Sequence, residues 1–158
     1  PPREEYAPFF FLFVSRVEEA DVLQALARAP GELRAALAGG RGEAERFRYA
    51  EGKWSIREIV GHLADTERIM GYRACCLARG ETTSLPGFDE NAWIAPARFK
   101  DRHVDDLVQE FAATRAATLA LVRHLPSGSP RSIRTARCGS SIPCIRRCST
   151  ACSGFRQS

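Results

Sequence analysis

The residues best suited to chemistry lie in one segment, Trp54 to Arg79, reading WSIREIVGHLADTERIMGYRACCLAR. Within it Glu58, His62 and Asp65 (or Thr66) recur three or four apart, so on a helix they share a face. A carboxylate one turn from an imidazole can hold the ring in one orientation, as the outer partners of metal-binding histidines do. The plainer reading is a partly exposed histidine paired with Glu58. Two other histidines complete the chain's three, His103 and His124. Cys75 and Cys76 are adjacent, and neighbours on a helix point in different directions, so no bond between them is expected. Cys138, Cys144, Cys148 and Cys152 fall late in the chain. Cys144 and Cys148 stand at i, i+4, a spacing from which two thiolates could ligate zinc. There is no glycine-rich phosphate loop, no Ser-His-Asp arrangement and no zinc-finger spacing.

The elements that would position these groups are helical. Val22, Leu26, Leu33 and Leu37 predict a first helix over about 15–38, which Pro30-Gly31 should kink or split. Ser55 with Glu58 three residues on forms a capping box, and Trp54 with Ile59 forms a hydrophobic staple. They open a second helix over about 55–79, with Ile56, Ile59, Val60, Leu63, Met70 and Leu77 on its apolar face and Gly80 as its stop. A long polar and aromatic loop is expected from Gly80 to about His103, where Phe88, Trp93 and Phe99 either wall a ligand pocket or seal one end of the molecule. A third helix runs from about Val104 to Leu125, ended by Pro126. On it Arg115 either binds an anionic substrate group or pairs in solvent with Glu110 or Asp106. His124, near that helix's end, has a sufficient role in meeting the helix dipole.

The 158 residues suffice for one domain. The formal charge of +4 is unevenly spread: residues 127–158 hold six arginines and no acid, leaving a mildly acidic body. Arginine, serine and cysteine dominate that tail, and large apolar residues are scarce. The arginine and alanine content of the body suggests a GC-rich gene, and a shifted frame in such a gene yields this composition, so the tail is expected to be an out-of-frame reading. The domain expectation is thus a bundle domain over 1–126 and an atypical tail over 127–158. No apolar run reaches the ~20 residues of a membrane helix, and Phe9 to Val14 lacks the basic start and cleavage site of a secretory signal. A cytoplasmic protein is expected, its natural start upstream of Pro1.

Lys53-Trp54-Ser55-Ile56-Arg57-Glu58 followed by Gly61-His62-Leu63-Ala64-Asp65-Thr66-Glu67-Arg68 resembles the signature of the DinB-like superfamily. Glu5-Tyr6-Ala7-Pro8, Leu85-Pro86-Gly87-Phe88-Asp89-Glu90 and Arg115-Ala116-Ala117-Thr118-Leu119 extend the likeness over about residues 4–126. The resemblance implies an all-α four-helix bundle, up-down-down-up, here with three clear helices and a poorly specified C-terminal segment. It also implies a divalent metal, zinc or nickel, held by three histidines, and a thiol-transferase or hydrolase activity with a low-molecular-weight thiol as a candidate substrate. His62 matches the first metal-binding histidine. The H-x-x-x-H pair that supplies the other two is absent, since no histidine follows residue 124.

The expectation is therefore an impaired metal site, with Glu58 and Asp65 behind His62, Cys144 and Cys148 as substitute ligands, and Arg115 and Trp93 toward substrate. His103 and His124 are weaker substitutes. Three helices without a proper fourth should leave apolar surface to be covered by a second copy of the chain, or lower its stability. The competing reading is a non-catalytic interaction protein whose basic tail binds acidic partners or nucleic acid, the latter ranking low because Phe155 is the tail's one aromatic. No membrane partner is expected.

Overall fold

Asp21 sets the start of the first helix: its carboxylate accepts from the amides of Leu23 and Gln24 at 2.9 and 3.4 Å, which would otherwise lack partners. The computed structural model describes residues 21–39 and 42–125, with Pro8, Phe11, Ser15 and Arg16. Among them run α1 (Val22–Leu37), α2 (Ile56–Ala78), α3 (Glu90–Ala97) and α4 (Val104–Arg123), with 3-10 turns at Gly42–Arg46 and Phe99–Asp101. The described residues contain no strand, and this part of the chain is all-α. Pro126, the tail over 127–158 and the expected fourth long helix lie outside the described residues.

Of the two outcomes expected at Pro30, the split does not occur: α1 runs on through it. Proline lacks an N–H, so the carbonyl four residues earlier loses its helical donor. That carbonyl is Leu26 O, and Arg115 Nη1 reaches across from α4 to donate to it at 3.1 Å. A side chain thus supplies the bond that the backbone cannot. The expected apolar stripe of α1 is only partly used: Leu33 and Leu37 pack on the core, whereas Val22 is exposed.

α2 opens as its sequence predicts. Ser55 caps it and Glu58 reaches back, completing the capping box. The hydrophobic staple is different. Ile59 is largely exposed, and Trp54 lies against His62, ring centroids 4.8 Å apart. The buried face of α2 is also more polar than a reading by apolar periodicity suggests: Arg57, Glu58 and Glu67 are buried beside Val60, Gly61 and Ala64, while Met70 is exposed.

α4 is the central element, packing along α2 and α1. The core gathers Val60 of α2, Phe99, and Val104, Leu107 and Val108 of α4, with Leu33, Leu37, Ile56, Ile94 and Ala97 against it. Leu107 is fully buried. Gly61 is needed here, because a Cβ at that position would fall 2.3 Å from Phe99 Cδ1.

The expected loop over 80–103 instead holds α3 and a 3-10 turn. Asp89 caps α3 by accepting from Ala92 N at 3.1 Å, and Glu90 adds an acid to its first turn, both favourable at a helix N-terminus. The chain leaves α3 through Arg98, whose φ of 53° is left-handed, and turns Phe99 into the core.

Two buried ion pairs tie the elements together. Arg57 joins Glu45 at 2.6 Å and donates to Lys100 O at 2.9 Å, linking α2 to both 3-10 turns. Arg115 joins Glu67 at 2.7 Å, linking α4 to α2. Opposite charges at these separations hold firmly because the partners are largely removed from water; Glu45 also accepts from Gly42 N, and Arg57 and Arg115 also donate to Lys100 O and Leu26 O respectively.

Candidate metal centre

His62 stands half-buried in the first half of α2, just beyond the buried Val60 and Gly61. One side of its ring meets Trp54 at 4.8 Å and 55°. Its Nε2 lies 3.2 Å from Thr66 Oγ1, one turn further along. Burial lowers the pKa of the imidazole below its ordinary value, opposed in part by the carboxylates of Glu90 and Asp65. The ring is therefore favoured in its neutral form, the state in which an imidazole nitrogen can ligate a metal or accept a proton.

The partner expected behind His62 is engaged elsewhere. Glu58 Oε2 accepts from Ser55 N and Ser55 Oγ, both at 2.7 Å, and from Arg48 Nη2 at 2.8 Å. Its place at the third helical position makes it the capping-box acid, and capping consumes the carboxylate that helical spacing had offered to His62. Asp65 does lie near enough to act on His62 electrostatically, while its Oδ1 accepts from Arg68 Nη1 at 3.1 Å. Thr66, the alternative at that position, makes the direct contact.

Arg115 braces the helices, and its side chain is largely buried, not solvent-facing. Its Nη2 donates to Glu67 Oε2 at 2.7 Å, its Nη1 to Leu26 O at 3.1 Å, and its plane lies 5.0 Å from the Phe111 ring centroid. Glu110, its expected partner in solvent, is gripped by Arg68 and Arg102. Trp93 remains 40% exposed on α3, its ring 4.9 Å from Phe88. Phe99, grouped with them in the sequence reading, belongs to the core instead. His103 and His124 cap the two ends of α4, so neither is placed on the α2 turn that carries His62. Cys75 and Cys76 are free thiols near the end of α2. Cys144 and Cys148 lie outside the described residues.

Sequence reasoning missed two members of the His62 surroundings. Trp54 was legible only as a staple residue, although it precedes the cap at a position from which its ring can fold along the first turns. Glu90 lies on another element, and no spacing rule links it to His62.

The described residues do not by themselves fit a divalent metal. They contribute one half-buried imidazole with carboxylates at its margin, and among them no group of three or more His, Cys, Asp or Glu side chains converges. Three or four donors are the ordinary requirement of a protein zinc site.

The DinB superfamily model matches residues 25–140, more than half of the chain. A protein of Oceanobacillus iheyensis, OB0413, named provisionally as a metal-dependent hydrolase, is 38% identical over 45 residues, which are 28% of this chain and 26% of that protein. YfiT of Bacillus subtilis, named in the same way, is 25% identical over 122 residues, covering 77% of this chain and 62% of the relative. The chain thus spans less than two thirds of the length of either. No solved structure matches it.

Proposed function

The chain belongs to the DinB superfamily, and from that premise we propose that it is of the metal-dependent hydrolase type, with His62 as its metal-facing residue. One observation carries the reading: His62 is the imidazole of the family's motif, and it is half-buried, favoured as the neutral base and steadied by Trp54 and Thr66. The names of both relatives support the same class.

The ligands beyond His62 would come from outside the described residues or from a second copy of the chain. Cys144 and Cys148 are the candidates within this sequence. A bound divalent ion would supply Lewis-acid activation of a substrate or of water. The chain's own part is to present a neutral, oriented nitrogen at His62 and to limit water around it through Trp54. Because the family's second and third histidines are missing, the activity is proposed to be impaired. Transfer to a low-molecular-weight thiol is the finer form of the proposal, with hydrolysis as its broader form, and Trp93 is the residue proposed toward substrate.

Elemental analysis of the purified chain beside His62→Ala tests this reading. Near-stoichiometric zinc or nickel, lost in the variant, is expected. Metal bound equally in both, or in neither, overturns the assignment. Ester hydrolysis, compared with thiol addition to an aromatic electrophile, then separates the two chemistries.

A further inference from the structure

The N-terminal end of α2 borders a cleft of about 340 Å³, lined by Arg46, Arg48, Ser55, Arg57, Lys100 and Asp101. This volume falls at the lower end of the range of small-molecule sites. Four of the six lining residues are cationic. The acids that balance two of them do not line the cleft. Glu45 takes Arg57 Nε and Nη2 on one carboxylate oxygen, at 2.8 and 2.6 Å. Glu58 takes Arg48 Nη2 at 2.8 Å, and Lys53 O takes Arg48 Nη1. Glu45 and Glu58 are both buried.

Each guanidinium has five N–H donors, so these bonds fix both forks in place and leave donors over. Arg46, Arg48 and Lys100 are the exposed members of the set, and among the described residues Arg46 meets an acid only at 3.6 Å, the exposed Glu43. Asp101, the one acid in the lining, is joined to Arg98 Nε at 2.8 Å. The helix end itself contributes little, because Ser55 Oγ already accepts from Glu58 N. What remains is a concave space with two anchored guanidinium forks, that of Arg48 on an exposed side chain, and two further exposed cations. Planar forks of this kind match the oxygens of a tetrahedral oxyanion.

We propose that this cleft binds the phosphate group of a small phosphorylated molecule. Arg48 and Arg57 form its fixed wall, and Arg46 and Lys100 close on the anion from the solvent side. The space exceeds a lone phosphate and leaves room for part of the attached molecule. The inference is independent of any metal at His62.

Calorimetric titration of the full chain with pyrophosphate and with ribose 5-phosphate, beside unphosphorylated ribose, tests it. Both phosphates are expected to bind at low salt with Kd below about 1 mM, and ribose is not. Arg46→Ala and Lys100→Ala remove exposed side chains outside the core, so their circular dichroism should match that of the parent. Each should weaken phosphate binding by about tenfold, as expected for losing a hydrogen bond to a charged group. The arginines of 127–158 offer a diffuse source of anion binding that these substitutions leave untouched. Binding that persists unchanged in the double variant therefore overturns the proposal, as does an absence of heat from the parent chain.

Discussion

Gly61 shows how one missing side chain positions the core. With Phe99 Cδ1 2.3 Å from where a Cβ would stand, Gly61→Ala must push either the ring or α2 aside. Overpacking of this kind costs about 1–3 kcal/mol. The loss should appear in the urea midpoint of the variant, and Phe99→Leu in the same background should recover part of it. Glu58 was offered two partners by its sequence spacing. Its spacing from His62 is right for a pair, yet its spacing from Ser55 is right for a cap, and the cap holds both the side chain and the backbone N–H of Ser55. Ser55→Ala is expected to cost about 1 kcal/mol, measured by denaturant unfolding. His62 was legible because the chemistry and the motif coincide at it. Trp54 and Glu90 were not, since neither lies at a diagnostic interval from it.

At the scale of elements, local signals were read well and distant ones were not. The start of α2 follows from the Ser55–Glu58 capping box, and the structure places it at Ile56 after Ser55. The start of α4 at Val104 likewise agrees. The short α3 was taken for loop because Pro96 and the surrounding polar residues obscured the Asp89 cap. The pairs Arg57–Glu45 and Arg115–Glu67 join residues far apart in the chain, and no periodicity announces them. They give a sharp expectation nonetheless. Breaking a buried pair from one side costs about 3–5 kcal/mol, whereas replacing both partners with apolar residues can be nearly neutral. Glu67→Met alone should therefore destabilise the chain strongly, and Glu67→Met with Arg115→Met should be less damaging than the sum of the single changes. A thermodynamic cycle from urea unfolding measures the difference. An additive result would mean that the pair does not couple α2 to α4.

For the whole molecule, acid sensitivity follows from the carboxylates. Burial alone would raise the pKa values of Glu45, Glu58 and Glu110, but hydrogen bonds from Arg57 and Gly42, from Ser55 and Arg48, and from Arg68 and Arg102 respectively hold them below the ordinary 4.5. The unfolded chain then binds more protons than the folded one in the acid range. The stability these groups contribute is complete above about pH 4.5 and is lost as the pH falls through their lowered values. Unfolding free energies measured from pH 7 to pH 3 should fall accordingly, and Glu45→Gln should make that decline shallower. α2 also leaves Ile59 and Met70 exposed, at 41% and 49%. Apolar surface of this kind invites cover, so sedimentation is expected to show concentration-dependent self-association. A monomer at all concentrations would remove the homo-oligomer from the proposal. The α-class and the main helices were thus open to inspection in the sequence, because periodicity and capping are local. The donor set of a metal centre depends on convergence in space and was not.

The bond from Arg115 to Leu26 O has a consequence for inheritance. Arg115 completes a helix that Pro30 leaves one donor short, so the two positions are expected to change together. With alanine at 30 the backbone would satisfy Leu26 itself, and Arg115 would lose one of its reasons to be arginine. With proline at 30, loss of the guanidinium strands a carbonyl. The order of change along a lineage is then constrained: a relative lacking arginine at the position of Arg115 is expected to have replaced the proline first.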